Sequence, residues 1–403
     1  MCAEKLHREC RCAGNPVIRV FVPRERRAGE QRVAATPETV RRLTGWGCQV
    51  GLEAGAGRSA GFDDGLFAEA GAEITAFDAA DPWQQADVVL TVQAPPLETA
   101  AEAGGYGLLR SGSLLIGLLD PYANRPLFDR LNSAGVSTLA LELLPRISRA
   151  QTMDALSSQA NIAGYKAVLL AAAELDRFFP MLMTAAGTVQ PAKVLVLGAG
   201  VAGLQAVATA RRLGAVVKVS DVRPAAKEQV ESLGARFIDP PSLDAPGETG
   251  GYARQAGVAF LEAQRQQLAL HLQEADVVIT TAQVPGKPAP LLITEELLAQ
   301  LRPGAVVVDL AVAQGGNVAG SRLDQTVDVG GVRILGASNL PASVPQHASA
   351  LYARNLAALM EQLIEAGELR FDPEDALLDP CLITHQGCCR RSDLWPALEE
   401  VLA

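Results

Sequence analysis

Aromatic residues make up only 4% of this 403-residue chain, so alanine, valine and leucine must fill most of its core. Histidine is scarcer still, with His7, His271, His347 and His385 the full set. No apolar run reaches the roughly 18 residues that a membrane span needs, and the N-terminus lacks the apolar stretch of a secretory signal. A disulfide framework is missing too. The seven cysteines, Cys2, Cys10, Cys12, Cys48, Cys381, Cys388 and Cys389, are odd in number and cluster at the ends of a large chain. Neither Cys10-x-Cys12 nor Cys388-Cys389 has the spacing of a zinc site. These absences predict a reduced, soluble, cytoplasmic protein that holds no metal. A net charge of −10 argues against nucleic acid as the main partner, and the one basic cluster, Arg24, Arg26, Arg27 and Arg32, reads as a solvated loop.

The chain is organised around residues 193–221, KVLVLGAGVAGLQAVATARRLGAVVKVSD. Val194, Leu195, Val196 and Leu197 form an apolar run of the length of one buried parallel strand. Gly198, Gly200 and Gly203 follow in G-x-G-x-x-G spacing, with Val201 and Ala202 between the last two. Residues 204–213 then read as a helix closed by Gly214, and 216–220 as a second strand ending at Asp221. Glycines alone would be a weak signal; strand, turn, helix and acidic strand end together make a dinucleotide-binding unit. Gly198 permits the tight turn, Gly200 lets a pyrophosphate approach the backbone, and Gly203 lets helix and strand pack closely. The helix N-terminus faces the phosphates. Asp221, 18 residues past Gly203, is placed to accept both adenosine ribose hydroxyls and to repel a 2′-phosphate, which favours NAD(H) over NADP(H). Arg223 works in the opposite direction.

The length allows about two to three domains. Strands are predicted at 17–22, 50–52, 88–92, 114–118 and 137–141, with a helix capped by Thr36 and started by Pro37 and a flexible loop at Gly55-Ala56-Gly57 and Gly61. This is an α/β parallel-sheet segment without its own glycine fingerprint. A long helix over 153–178 ends at Pro180, and 181–191 (MLMTAAGTVQP) reads as a β-hairpin arm. Past Asp221 come a helix over 225–233, a strand over 236–238, a breaker-rich mobile loop over 240–251 with Tyr252 at its end, and strands over 276–281 and 305–310. A second long helix over 343–366 and a last edge strand over 382–384 complete the chain. The fold class is therefore α/β: two Rossmann-like domains with parallel sheets, joined by two long helices, with the nucleotide cleft between them. Residues 1–155 and 341–403 form the first domain and 156–340 the second.

Ligands of such sheets bind beyond the carboxyl ends of the strands, so the nicotinamide half should meet Thr280, Thr281, Ala282 and Gln283. The interdomain stretch PRISRAQTMDALSS, residues 145–158, should face the same cleft with Arg146, Ser148, Arg149, Gln151, Asp154 and Ser157. A helix-capping role for Ser148 and Asp154 is the competing explanation. No histidine sits there as a general base. Hydride exchange between two nicotinamide rings needs none, because the cofactors carry the chemistry.

At this point the residues resemble a known family. PRISRAQTMDALSSQANIAGYKAV, GAGVAGLQA with SDVRP, KEQVESLGA, TTAQVPGKPAP and VVVDLAVAQGGN together look like the NAD(H)-binding domain of proton-translocating NAD(P) transhydrogenase, in its separate soluble α-subunit form. The similarity runs over about residues 17–385. It implies a Re/Si-specific transhydrogenase in which Arg146, Gln151, Asp154 and Ser157 surround the nicotinamide and Gln151 bridges to NADP(H) on the partner. It further implies that Asp221, Val222 and Arg223 hold the adenosine ribose, that Gln264 joins the cofactor site, and that the loop ending in Gly251 and Tyr252 closes over the nucleotide. The hairpin arm would be exchanged within a homodimer, and NADP(H)-binding and membrane subunits would hold the chain at the inner membrane. Alanine dehydrogenase shares the fold. Against it, Thr91 stands where that enzyme carries a pyruvate-binding lysine, and Leu118 where it carries its catalytic histidine, although transhydrogenases often keep the lysine. Gln283 stands where an apolar residue is usual. A non-catalytic NAD-binding sensor is the third alternative.

Overall fold

The computed structural model describes residues 17–77, 79–94, 107, 109–241, 248–249, 252–253, 257–365 and 367–395. The chain divides into two units, Met1–Leu156 with Pro345–Ala403, and Ser157–Val344.

In the first unit, β1 (Arg19–Val22), β2 (Gln49–Glu53), β3 (Ala72–Thr75), β4 (Val88–Gln93), β5 (Leu114–Leu118) and β6 (Ser137–Ala140) form a parallel sheet in the order β6-β5-β4-β1-β2-β3. The chain winds outward from β1 in one direction, then crosses to β4 and winds in the other. Side chains alternate between two buried faces, as a sheet covered on both sides requires. Val20, Val22, Val88 and Leu90 pack with Tyr352, Leu356 and Met360 on one face; Phe21, Val89 and Leu115 pack with Trp83 and Phe128 on the other. Thr36 caps the helix Pro37–Gly45 as expected, in a reciprocal box with Thr39. The predicted last edge strand exists as Leu382–His385, antiparallel to β6, but Cys388–Cys389 pairs outside it and takes the edge.

In the second unit, β7 (Leu182–Thr184) and β8 (Gly187–Val189) form the expected hairpin. The sheet runs β11 (Arg236–Ile238), β10 (Val216–Ser220), β9 (Lys193–Leu197), then Val277–Thr280, Val306–Asp309, Val332–Gly336 and Thr326–Val329. All pairings but the last are parallel. The core on one face is built from valine and alanine: Val194, Val196, Val217 and Val306 against Ala167, Ala171, Ala206 and Ala210. The scarcity of aromatics is met by close backbone packing.

Three expectations are corrected. The first long helix is Ala155–Glu174, two residues shorter at its start and four at its end than expected; the restriction that Pro180 places on Phe179 bars helix at 179 but does not set the end at Glu174. Gly55-Ala56-Gly57 is a hydrogen-bonded turn rather than a loose loop, with Gly55 N–H bound to the Asp64 carboxylate at 2.9 Å and Ala60 N–H to Gly57 O at 3.0 Å. The basic cluster is not simply solvated: Arg32 is buried and bidentate to Glu30 at 2.7 Å, and Arg26 pairs with the buried Glu53 at 2.8 Å. Strand β3 and the hairpin 326–336 were not expected. Most of the loop expected over 240–251 lies outside the described residues; within them Glu248–Thr249 pairs with Tyr252–Ala253.

Candidate functional site

The second unit carries the glycine-rich turn in the arrangement its spacing predicts. Gly198 has φ of 106°, a backbone that L side chains rarely adopt, and a Cβ there would lie 2.5 Å from Thr281 Oγ1. A Cβ on Gly203 would lie 1.8 Å from Gly198 O, whereas one on Gly200 would meet nothing within 4 Å. So Gly203 is required for packing and Gly200 faces open space. The helix Val201–Arg212 begins at Gly200 without a side-chain cap, which leaves its first N–H groups for an anion. Gly164 adds a contact that the fingerprint does not announce: its Cβ would lie 2.0 Å from Ala202 O.

Asp221 is buried at the end of β10, 6% exposed. Its carboxylate accepts from Ala199 N–H at 2.6 Å, Arg223 N–H at 2.8 Å, and the Arg223 guanidinium at 2.9 and 3.0 Å. Arg223 thus folds back onto the residue that is expected to hold the ribose. Val222 is half-buried beside them. Across the sheet, Thr281 Oγ1 donates to the carbonyls of Leu197 and Gly198 at 3.3 and 3.1 Å. Gln283 is exposed, and its Nε2 donates to Leu310 O at 2.9 Å; the amide that departs from the family pattern ties two loops together. Gln264 lies on the helix Val258–Leu272, 5% exposed, and its Oε1 finds no hydrogen-bond partner among the described residues. Ser157 sits half-buried in the first turns of the helix Ala155–Glu174. Gly251 lies outside the described residues, and of Tyr252 only the backbone is described.

In the first unit, Ser148–Met153 is a 3₁₀ turn, so Gln151 and Asp154 precede the α-helix instead of starting it. Asp154 ends that turn with ψ of 85°, its N–H on Gln151 O at 3.4 Å. The turn is anchored within its own unit: Arg149 binds the Asp375 carboxylate at 3.0 Å and Gln362 Oε1 at 3.1 Å, and Asn355 Nδ2 donates to Thr152 O at 2.7 Å. Arg146, Ser148 and Gln151 are exposed and Asp154 is half-buried.

The carboxyl ends of β1, β4 and β5 hold a second polar group that sequence reasoning missed. Glu25 Oε1 accepts from Val92 N–H at 2.6 Å and lies 3.0 Å from Thr91 Oγ1; Oε2 accepts from Gln93 N–H at 3.2 Å. Tyr352 OH donates to Thr91 O at 2.7 Å. The residue keeps some exposure, but its carboxyl is enclosed, and removal from water pushes it up to about 7 against the pull of those N–H groups. Glu142 is also pushed up to about 7 by burial, with Oε1 on Asp120 N–H at 2.7 Å. Thr91 is buried and has neither the charge nor the reach of a lysine; Leu118 offers no base.

Residues 21–163 match the model described as alanine dehydrogenase/PNT, N-terminal domain, and residues 167–392 that described as alanine dehydrogenase/PNT, C-terminal domain. The chain belongs to the alanine dehydrogenase/PNT family. Within it, the chain is 49% identical over 343 residues to an NAD(P) transhydrogenase alpha subunit of Rhodospirillum rubrum, covering 84% of this chain and 88% of that one. It is 32% identical over 377 residues to alanine dehydrogenase of Mycobacterium tuberculosis, covering 92% and 94%. A transhydrogenase structure from Sinorhizobium meliloti matches with a TM-score of 0.82 at 46% identity, over 92% of this chain and 99% of that one. Among the described residues no helix is long and apolar enough to cross a membrane.

Proposed function

We propose that this chain is the NAD(H)-binding subunit of a proton-translocating transhydrogenase and exchanges hydride directly with NADP(H) on a partner subunit. One observation carries the reading. An intact dinucleotide turn in the second unit is joined to a first unit in which Thr91 and Leu118, where the resemblance to alanine dehydrogenase places a lysine and a histidine, are a hydrogen-bonded hydroxyl and an isobutyl group. Neither can hold a carboxylate by charge or take a proton.

The second unit suits NAD(H) on its own geometry. The uncapped helix start and open Gly200 leave room for a pyrophosphate, and Asp221, held here by Ala199 N–H and Arg223, is assigned to the ribose hydroxyls once the Arg223 guanidinium turns away from it. Bound nicotinamide supplies the hydride chemistry. The chain supplies position: Arg146, Gln151, Asp154 and Ser157 orient the ring, Gln151 bridges to the partner, and Gly251 and Tyr252 close over the nucleotide. The hairpin β7–β8 has every strand residue exposed, with Met183 at 73%. A two-stranded hairpin is marginal alone, and we assign it to exchange within a homodimer. Localisation is cytoplasmic, at the inner membrane through the partner subunits.

The test mixes the purified chain with an NADP(H)-binding transhydrogenase subunit and follows transfer from NADH to an NADP analogue. Transfer is expected. Oxidation of alanine by the chain alone would replace the reading with an amino-acid dehydrogenase, and NADH binding without either reaction would leave a sensor.

A further inference from the structure

Asn317 lies fully buried in the loop after Val306–Asp309, and every polar atom it has is used. Its Oδ1 accepts from Ala282 N–H at 3.1 Å, and its Nδ2 donates to Ala282 O at 2.9 Å and Pro290 O at 2.8 Å. Its backbone carbonyl accepts from Leu292 and Ile293 at 2.9 Å each, and its own N–H donates to the Asp309 carboxylate at 3.1 Å. Asp309, also fully buried, further accepts from Thr280 Oγ1 at 2.9 Å and Ala311 N–H at 3.0 Å. One residue before Ala282, Thr281 is bonded to Gly198 O. A continuous line of hydrogen bonds and adjacent residues thus runs from Asp309 through Asn317 and Ala282 to the first glycine of the dinucleotide turn.

We propose that Asn317 is a positioning residue for the nicotinamide half of the dinucleotide. It sets the backbone of residues 281–291, and so Thr281, Ala282 and Gln283, through Ala282 and Pro290. The chemistry demands a short carboxamide: one acceptor and two donors are used, and aspartate would set a carboxylate against two carbonyl oxygens. The glycine turn, which the line reaches only through Thr281, is also held from β10, with Gly198 N–H on Ser220 O at 2.8 Å and Ala199 N–H on Asp221 at 2.6 Å, so the adenosine and pyrophosphate half keeps its support when Asn317 is replaced. The inference rests on the cofactor reading above.

The experiment titrates NADH and ADP-ribose by calorimetry into the wild-type chain, Asn317→Ala and Asn317→Ser, with thermal midpoints beside them. The serine variant leaves a smaller void and a hydroxyl, and so keeps the test open if the alanine variant does not fold. The expected result is ADP-ribose affinity within about threefold of wild type and NADH affinity lowered at least about tenfold. Equal losses for the two ligands, as a merely structural role would give, overturn the proposal, as does no loss of either. A wild-type chain that binds neither ligand removes the cofactor reading and the inference with it; a wild type that binds both, beside variants that lose both alike, removes the inference only.

Discussion

Gly164→Ala sets two known effects against each other. Alanine is favoured over glycine in a helix interior by about 1 kcal/mol. Here, however, the new Cβ would sit 2.0 Å from Ala202 O, 2.8 Å from Ala202 C and 3.0 Å from Ala202 Cα, all backbone atoms. A carbon–oxygen contact is comfortable at about 3.3 Å, so the helices must separate by about 1.3 Å. No flexible side chain can yield, so the cost belongs at the upper end of the roughly 1–3 kcal/mol typical of overpacking. Sterics should win by about 1–2 kcal/mol, and a unit of this size loses about 2–4 °C in Tm per kcal/mol. Because Ala202 stands in the first turn of the fingerprint helix, the same shift should weaken NADH binding about tenfold, or ~1.4 kcal/mol. Gly65→Ala is the control: it lies in the first turn of the helix Asp64–Glu69 and has nothing within 4 Å of the new Cβ, so it should be neutral or stabilising by less than the interior value of about 1 kcal/mol. Calorimetric scans and NADH titrations of both variants decide the matter. If Gly164→Ala matches Gly65→Ala in stability and in NADH affinity, the close approach is not what the glycine is for.

Cofactor choice should follow Asp221, with NADH bound well ahead of NADPH; equal affinities by calorimetry would remove its role. Gln151→Asn should leave NADH affinity within a few-fold yet slow stopped-flow hydride transfer at least about tenfold; unchanged transfer would take Gln151 out of the site. The hairpin assignment predicts a dimer at micromolar concentration, and a monomer in sedimentation would contradict it. Glu25 predicts a pH effect. Its folded value, about 7, lies above its ordinary 4.5, so its contribution to stability is full below about 4.5, falls as pH rises through 7, and is flat above. The drop is on the order of 3 kcal/mol. Glu25→Gln should flatten in part the fall in Tm between about pH 4.5 and 7, Glu142 supplying the rest, and an unchanged slope would refute the assignment.

The dinucleotide turn was legible because its signal is local: strand, glycines, helix and acidic end lie within 29 consecutive residues. The hairpin 182–189 was legible for the same reason. Strand β3 was not, having only Ala72 and Ile74 to mark it. The pair Thr326–Val329 and Val332–Gly336 does carry a turn signal, Gly330-Gly331, with φ of 63° and 82°. Its strands are short, however, and Thr326–Val329 has no buried residue to give it an apolar face. Asn317 and Asp309 lie in the quoted stretch VVVDLAVAQGGN, and Ala282 and Pro290 in TTAQVPGKPAP, but that the Asn317 carboxamide joins the two stretches is visible only in the fold. The basic cluster misled because Glu30 and Glu53, rather than the arginines' own spacing, decide which guanidinium is buried.

The first unit is stitched from the two ends of the chain. Thr138 Oγ1 meets Thr384 Oγ1 across 246 positions, and Ser349 Oγ accepts from Val33 N–H across 316. A ribosome therefore releases all of Ser157–Val344 before the first sheet can gain its final strands and the helix Pro345–Leu363 beneath it. Until then β6 presents an unpaired edge, and the face that Tyr352 and Leu356 will cover stays in water. The inserted unit closes its own core from consecutive sequence and can fold at once, whereas its host must wait for the last sixty or so residues. Truncation at the C-terminus should thus appear first as aggregation of nascent chains, well before it appears as loss of nucleotide binding.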